Sequence, residues 1–258
     1  MTDKNINIVD SKWKGFKEAQ VFKIIEESNN VKSFYLRMAD GTALPSFVPG
    51  QFIAVKVKNE DGTYTKVRQY TLSKDYNSNY YRISIKREEE GYLSKILCDT
   101  IKENDIIEIT APMGNFVLKE GKHPLVLIGG GIGITPMITM AYDSKDADRD
   151  VYFIYSIPNS NCHCFIDEIN NIAKENDRLN KTIVYTRPLS SNEIGRDFDF
   201  KGRINKEWMK SHLPKDAEFY FCGPVSFMKS IYDNLIDLGI DEDRINYESF
   251  GPGMNFSK

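Results

Sequence analysis

The chain has 258 residues and a formal net charge of −3, so it can form one large domain or two ordinary ones and gives no support for a broad nucleic-acid-binding surface. Its apolar and charged fractions, 41% and 28%, are those of a soluble globular protein. No apolar run approaches the ~20 residues that span a bilayer, and the N-terminal MTDKNINIVDSKWKG lacks the apolar core of a signal peptide, so we expect no membrane segment and a cytoplasmic location.

The first half of the sequence predicts six short β-strands, rich in β-branched and aromatic residues and separated by turn signals such as NN, ADG and KEND. These strands cover residues 18–27, 31–38, 51–58, 66–73, 80–87 and 105–112. One short helical pattern, at residues 91–99, interrupts the series. Six closely spaced strands of this kind predict a small antiparallel β-barrel.

The second half alternates strand patterns with helix patterns. Strands are predicted at residues 124–129, 150–156, 181–186, 217–223 and 244–250, and helices at residues 135–144, 163–176, 204–212 and 224–239. This alternation predicts an α/β domain with a parallel five-stranded sheet covered on both faces. The boundary is expected within residues 118–124, which divides the chain into domains 1–118 and 119–258.

A glycine-rich turn follows the first strand of the second half, in the stretch LVLIGGGIGITPM. It does not fit the dinucleotide fingerprint G-x-G-x-x-G, because the third glycine would fall on Ile134 or on Pro136. Thr135 is expected to cap a helix whose first residue is Pro136, and the free N–H groups of that first turn would attract an anion. The glycines either let a ligand approach the backbone or only permit a sharp turn; they are Gly129, Gly130, Gly131 and Gly133.

A second turn of this kind runs from a strand through Cys222 and Gly223 to Pro224, and then into a helix. In a parallel sheet both turns lie at the carboxyl edge, where such folds bind ligands. The alternative for Cys222 is a small buried residue that ends a strand.

Candidate binding residues also occur in the barrel half. In RQYTLS, Arg68 can hold a phosphate in fork geometry and Tyr70 offers a flat ring, although an exposed strand with an ordinary tyrosine has the same pattern. Residues 91–94 form a turn and a first helical turn, which are either another anion site or a solvated loop. YESFGPGMNFSK ends the chain with an acid, Glu248, and an aromatic ring, Phe250, although a terminal phenylalanine usually docks into a core.

The cysteines of the chain give no support for a disulfide framework, a zinc site or an iron–sulfur cluster, because none of them forms a C-x-x-C pair. They are Cys98, Cys162, Cys164 and Cys222. Three ligands as close in sequence as Cys162, His163 and Cys164 cannot easily face one ion, so no metal site is expected. If electrons move through the protein, we expect an organic cofactor to carry them.

Taken in order, these motifs resemble the ferredoxin-NADP reductase superfamily, and most closely the reductase module of bacterial flavohemoglobins. The resemblance covers nearly the whole chain. The motifs that carry it are WKGF (13–16), PGQF (49–52), RQYTLS (68–73), IKREEEG (85–91), APMGNF (111–116), GGGIGITPM (129–137), FYFCGPVSFM (219–228) and YESFGP (247–252).

The resemblance implies that the barrel domain binds FAD and that the α/β domain binds NADH or NADPH. The implied FAD contacts are Arg68, Gln69, Tyr70, Thr71, Ser73, Ile85, Lys86, Gly91, Tyr92, Leu93, Ser94 and Phe250. The implied NAD(P)H contacts are Gly130, Gly131, Gly133, Ile134, Thr135, Pro136, Thr186, Arg187, Cys222, Gly223 and Pro224. The implied catalytic residues are Thr71, near the reactive flavin nitrogen, Glu248, near the flavin edge, Phe250, covering the flavin face that nicotinamide must reach, and Cys222.

The implied function is that of an FAD-dependent NAD(P)H oxidoreductase, in which hydride passes from NAD(P)H to flavin N5 and single electrons then leave. Only a dozen residues precede WKGF, so no globin is expected, and the acceptor is expected to be a separate haem or iron–sulfur protein. The alternative is a non-catalytic nucleotide-binding or regulatory subunit of a larger complex.

The preferred coenzyme is left open between NADH and NADPH, with a slight lean to NADH. NADPH-using relatives often carry a Ser-Arg pair where this chain has Thr186 and Arg187, and Arg187 could meet a 2′-phosphate, with Arg203 helping. Flavohemoglobin-like modules, in contrast, frequently favour NADH.

Overall fold

In the computed structural model, which describes residues 13–250 and residue 256, the six strands predicted for the first half form one antiparallel sheet. The strands are β1 (Phe16–Ser28), β2 (Val31–Met38), β3 (Phe52–Lys56), β4 (Arg68–Thr71), β5 (Tyr81–Lys86) and β6 (Ile106–Thr110), in the order β4-β3-β6-β1-β2-β5. A bridge between Leu72 and Ile83 joins the two ends of the sheet. The predicted antiparallel barrel is confirmed.

The interior of the barrel is apolar because each strand turns alternate side chains inward. Phe34 and Leu36 of β2 and Ile53 and Val55 of β3 are fully buried in one cluster. The predicted short helix is α1 (Tyr92–Asp99), which adds Leu93 and other residues to that cluster.

The second half forms a sheet in which every strand pair is parallel. Its strands are β7 (Leu125–Gly130), β8 (Val151–Ile157), β9 (Leu179–Tyr185), β10 (Phe200–Lys201), β11 (Glu218–Cys222) and β12 (Ile245–Glu248), in the order β10-β9-β8-β7-β11-β12. The five expected strands are present, and β10 makes a sixth. A strand of two residues is too short to show the alternation on which sequence-based prediction depends.

Four α-helices accompany this sheet: α2 (Ile134–Asp143), α3 (Ile166–Glu175), α4 (Lys206–His212) and α5 (Val225–Asp237). Val126 and Ile128 of β7 join a core that includes residues of α4 and α5. Leu125 and Leu127, which point to the opposite face, are equally buried. The sheet is therefore covered on both faces, as expected for a parallel sheet.

By its internal contacts the chain divides into two units, Met1–Val117 and Leu118–Lys258. None of the helices in the described part of the chain is long and apolar enough to cross a membrane.

Candidate functional site

Three neighbouring strands of the parallel sheet end side by side at its carboxyl edge. In the register of the sheet, Cys222 of β11 lies opposite Gly129 of β7 on one side and opposite Glu248 of β12 on the other. The glycine-rich turn, the Cys222-Gly223 turn and Glu248 are thus brought together, although they are far apart in sequence. This is the edge at which open α/β sheets bind ligands.

Most glycines at this edge are required for internal packing. A Cβ atom on Gly133 would lie 2.3 Å from the carbonyl oxygen of Cys222, and one on Gly129 would lie 2.7 Å from Ile134 Cδ1. Cβ atoms on Gly130 and Gly223 would both meet the ring of Phe227, at 2.7 and 2.8 Å. The turns can therefore pack against one another only because these residues lack side chains.

Gly131 differs from the other glycines of the turn. Its φ is +55°, a conformation that favours glycine, and a Cβ atom there would meet no heavy atom within 4 Å. The two alternatives left open by the sequence therefore both apply, to different residues. Packing explains Gly129, Gly130 and Gly133, and an open approach to the backbone exists at Gly131.

The predicted helix start was wrong. A 3₁₀ turn at Gly131–Gly133 runs directly into α2, which begins at Ile134, so Thr135 lies inside the first turn and is not its cap. Thr135 is buried, and its hydroxyl donates to the Ile132 carbonyl at 3.1 Å. Pro136 is tolerated in this first turn because its missing N–H would have no partner within the helix. The unsatisfied N–H groups therefore belong to the glycine turn itself.

Burial raises the pKa of the residues at the ends of β11 and β12. Cys222 is fully buried, and this burial raises the pKa of its thiol well above the ordinary value. Burial likewise raises the pKa of Glu248 to about 7. Cys222 is thus a neutral thiol without the properties of a nucleophilic thiolate, whereas Glu248 can hold or release a proton near neutral pH.

The segments that follow β8 and β9 are tied to each other at the same carboxyl edge. Thr186 N–H donates to the Ile157 carbonyl and Arg187 N–H to the Pro158 carbonyl, both at 2.9 Å. The Arg187 residue is exposed. A guanidinium on a backbone held in this way can reach a phosphate from solvent.

In the barrel, β4 carries a cation and a ring next to each other. Arg68 and Gln69 are exposed, Tyr70 is half-buried against the barrel core, and Thr71 is buried. Burial raises the pKa of the Tyr70 phenol, so this ring is neutral. The arrangement offers a charge for a phosphate and a partly apolar face for a ring.

Ser73, assigned from the sequence as a cofactor contact, has its side chain in the barrel interior. It is fully buried, and its hydroxyl lies 2.8 Å from the hydroxyl of Ser84. It also accepts a hydrogen bond from Arg82 Nε at 3.1 Å. Its side chain therefore serves a polar network inside the barrel.

The start of α1 forms the second candidate anion site. Gly91 precedes the helix, and a Cβ atom on it would lie 2.2 Å from Ser94 Oγ. The Ser94 hydroxyl accepts from Glu88 N–H at 3.3 Å, and the Leu93 side chain is buried in the barrel core. Tyr92 is exposed. Backbone N–H groups are therefore the main donors that this turn offers to a ligand.

Two further assigned FAD contacts lie at the end of β5. Ile85 is buried in the barrel core, and Lys86 Nζ lies 2.7 Å from a carboxylate oxygen of Glu88. Phe250 is 50% exposed. The last two residues of YESFGP, and the dozen residues before Trp13, lie outside the described residues.

The segment Cys162-His163-Cys164 forms the entry to α3. His163 is buried, and its Nδ1 lies 2.9 Å from the hydroxyl of Tyr185. Within residues 13–250 and 256, no three His, Cys, Asp or Glu side chains are grouped so that they could hold a metal ion.

Sequence reasoning missed two residues at the carboxyl edge. Phe227 lies against both glycine turns. Its position could have been predicted from the sequence, because it follows Pro224 by three residues and so faces the turn that precedes its helix. Tyr185 pairs with His163 across 22 residues, and no local pattern could have joined them.

The residues present fit the two nucleotides suggested by the sequence. An exposed arginine stands beside a neutral ring on β4, and a helix start with Gly91 as its cap follows β5. In the other unit a glycine turn leaves the backbone open at the carboxyl edge. Each feature suits an anionic, ring-bearing ligand.

Comparison with known proteins defines the class. Residues 18–118 match the oxidoreductase FAD-binding domain, and residues 127–233 match the oxidoreductase NAD-binding domain. With the ferredoxin reductase-like fold, these matches define a flavin-dependent NAD(P)H oxidoreductase module whose cofactors are FAD and a nicotinamide dinucleotide.

Individual relatives narrow the class to a family. The FAD/NAD-binding domain of a nitric oxide dioxygenase from Vibrio cholerae is 33% identical, with a TM-score of 0.81, and the match covers 92% of this chain and 99% of that one. A flavohemoglobin from Malassezia yamatoensis is 26% identical, with a TM-score of 0.81, over 92% of this chain and 60% of that one.

The curated relatives point to the same family. A flavohemoprotein from Bacillus cereus is 41% identical over 94% of this chain, and the chain spans 63% of the length of that relative. The chain therefore belongs to the flavohemoglobin-type FAD/NAD-binding oxidoreductase modules, and the resemblance stated from its motifs is confirmed.

The packing of the glycine turn leads to a prediction about stability. Gly133→Ala places a Cβ atom against the Cys222 carbonyl, so we expect it to lower the free energy of unfolding by about 3 kcal/mol or more. Gly131→Asn keeps a residue that tolerates φ near +55° in open space, and we expect a loss within about 1 kcal/mol. Urea unfolding measures both, and equal losses would contradict the packing described.

Burial of Glu248 leads to a prediction about pH. Because folding raises the pKa of this carboxyl from 4.5 to about 7, its contribution to stability is full below pH 4.5 and is lost as the pH rises to about 7. We expect the stability of the wild type relative to Glu248→Gln to fall over this range by about 1–3 kcal/mol, and to stay level above it.

Urea unfolding at a series of pH values measures this difference. The exposed Glu207→Gln substitution controls for removal of a carboxyl elsewhere in the same unit. A difference between wild type and Glu248→Gln that is constant through the range would show that Glu248 is not desolvated.

Proposed function

We propose that this chain is an FAD-dependent NAD(P)H reductase that passes electrons to a separate redox acceptor. The observation that supports it most is the carboxyl edge of the parallel sheet, where an open backbone at Gly131 adjoins neutral Cys222 and proton-holding Glu248. We propose residues 1–118 as the FAD-binding domain and residues 119–258 as the NAD(P)H-binding domain.

The barrel residues hold the flavin nucleotide in this proposal. Arg68 neutralises the pyrophosphate, the backbone N–H groups from Gly91 to Ser94 donate to it, and the neutral Tyr70 ring packs on the isoalloxazine. Thr71 hydrogen-bonds close to the reactive ring. The flavin, when bound, accepts a hydride from the nicotinamide and releases the two electrons one at a time.

The α/β residues hold and orient the nicotinamide coenzyme. The backbone of the Gly131–Gly133 turn and the start of α2 receive it at the carboxyl edge. Reduced nicotinamide is an uncharged ring, and the neutral thiol of Cys222 places no charge next to it. Glu248 supplies a carboxyl that can hold a proton near pH 7.

Phe250 completes the proposed arrangement. An aromatic ring that is half exposed suits a cover that shields the flavin at rest and is displaced by nicotinamide during turnover. Positioning of the two rings is the main task of the protein here, because hydride transfer needs a close and aligned approach.

A haem protein is the acceptor we propose first, and an iron–sulfur protein second. The relatives support a haem protein as the acceptor, because the curated homologues are flavohemoproteins and the Vibrio cholerae domain belongs to a nitric oxide dioxygenase. The chain spans only 63% of the length of the Bacillus cereus flavohemoprotein, so the whole activity of that relative does not pass to this chain by similarity alone.

An anaerobic titration tests the reductase function. The purified protein, supplied with FAD, is expected to be yellow, to bleach on addition of NADH, and to regain colour when an oxidised haem protein is added. Arg68→Ala is expected to weaken FAD binding about tenfold or more through loss of a charge-assisted contact, whereas the exposed Lys58→Ala is not. A protein that binds FAD but never bleaches, or that cannot take up FAD, is a nucleotide-binding subunit at most.

Coenzyme choice gives a separate test. We propose a preference for NADH, with Arg187 providing what affinity exists for the 2′-phosphate of NADPH. Arg187→Ala is then expected to lower kcat/KM for NADPH about tenfold and to leave that for NADH unchanged. Arg178→Ala, which removes an exposed arginine paired with Asp148, serves as the control. An unchanged ratio of the two efficiencies would remove Arg187 from the site.

A further inference from the structure

A buried histidine and a buried tyrosine meet beneath the coenzyme edge of the α/β unit. His163 Nδ1 lies 2.9 Å from Tyr185 Oη, and both residues are more than nine-tenths buried. The His163 ring also packs edge-on against Tyr155, with ring centroids 5.6 Å apart, and Tyr185 stacks on Phe198 at 4.9 Å. Neither ring can change its position without disturbing its neighbours.

This pair joins two chain segments that end at the proposed coenzyme site. Tyr185 is the last residue of β9, and Thr186 and Arg187 follow it directly. His163 lies in the segment between β8 and α3. The carbonyl of Ile157, at the end of β8, accepts the N–H of Thr186, and that of Pro158, at the start of this segment, accepts the N–H of Arg187. The His163–Tyr185 contact is therefore a buried side-chain link beneath these backbone bonds.

A second layer of polar contacts lies nearer the surface and ties the same segments. Asn159 Nδ2 donates to the Arg187 carbonyl at 3.4 Å, and Asn192 Nδ2 donates to Ser160 Oγ at 2.9 Å. The segment that carries Arg187 is thus held from its buried side and from its exposed side. Its position depends on both.

The chemistry of His163 favours a directed hydrogen bond over simple filling of space. Burial lowers the pKa of His163 to about 4, with Lys181 lowering it further and Asp197 opposing the shift, so the imidazole is neutral. Its Nε2 is buried and has no hydrogen-bond partner among the described residues. An apolar side chain would fill this space without leaving a buried polar atom unsatisfied, so the Nδ1 contact is what a histidine adds here.

We propose that His163 is a positioning residue for the NAD(P)H coenzyme: its Nδ1 bond to Tyr185 fixes the end of β9. This bond thereby fixes the Thr186 side chain and the Thr186–Arg187 backbone, which receive the adenosine half of either coenzyme, while the Arg187 side chain serves only the 2′-phosphate of NADPH. This inference rests on the proposed function of that edge. The adenosine half lies away from the ring that gives up hydride, and its contacts are equally strong in ground state and transition state. Loss of the bond therefore raises KM and leaves kcat unchanged.

Two substitutions test the bond from its two ends. Tyr185→Phe removes one oxygen atom and keeps the ring, and His163→Leu removes the imidazole while keeping an apolar side chain. We expect each to raise the KM for NADH and the Kd for NAD⁺, the latter measured by calorimetry, about tenfold, with kcat within about twofold of wild type. We expect the double variant to have a Kd for NAD⁺ no higher than that of the weaker-binding single variant, because both substitutions remove the same bond.

A conservative variant and a matched control sharpen the test. His163→Asn keeps a polar atom near the position of Nδ1 and is expected to restore most of the affinity that His163→Leu loses. His212→Gln alters another histidine of the same unit, at the end of α4, where its ring stacks on Trp208, and is expected to leave KM and Kd unchanged.

The proposal is overturned if Tyr185→Phe binds NAD⁺ as tightly as wild type, if the two single effects add in the double variant, or if kcat falls in parallel with affinity. The proposed function fails by a different result, in which wild-type protein binds NAD⁺ but NADH never bleaches its flavin. The calorimetric Kd values still decide the role of His163 in that case, because they require no turnover.

Discussion

The approach of the Gly133 backbone to the carbonyl of Cys222 is the constraint on which the nucleotide edge of this protein depends. A single methyl group would lie 2.3 Å from that oxygen, so the start of α2 can sit against the end of β11 only without a side chain. The same contact fixes the glycine turn, which runs directly into α2. The first N–H groups of such a helix start have no partner within the helix. One local feature therefore sets both the packing of this edge and the backbone groups that it offers to a ligand, and the Phe227 ring packs against the same two turns.

The candidate sites of the two units differ in their electrostatics. In the barrel, an exposed guanidinium on Arg68 lies beside a neutral, half-buried Tyr70, which suits a ligand with a charged diphosphate and a flat ring. At the sheet edge, burial keeps Cys222 neutral and brings the pKa of Glu248 to about 7, so the charge there depends on pH. A fixed cation suits a cofactor that stays bound, whereas an edge without a fixed charge suits a coenzyme that must bind and leave in two charge states.

Sequence alone predicted the architecture well because the order of strands and helices follows from the periodicity of apolar residues. Alternation in the first half and strand–helix exchange in the second are repeated signals. Among the strands of the described residues, the two-residue β10 is the one that these signals do not predict. The site was predicted in outline, since turns at the carboxyl edge of a parallel sheet must converge. Side-chain direction was predicted less well: Thr135 proved to lie inside the helix, and Ser73 inside the barrel. Links across long separations, such as His163 with Tyr185, leave no local signal at all.

The central claim is that the coenzyme is received by the backbone of the glycine turn at the carboxyl edge. Amide correlation spectra of isotope-labelled, FAD-loaded protein, recorded with and without saturating NAD⁺, test it most directly. The account predicts that the amide signals of Gly131, Gly133 and Ile134 shift, while that of Gly62, which lies in a turn of the barrel unit, stays in place. NAD⁺ binding that leaves the signals of the glycine turn unchanged would contradict it.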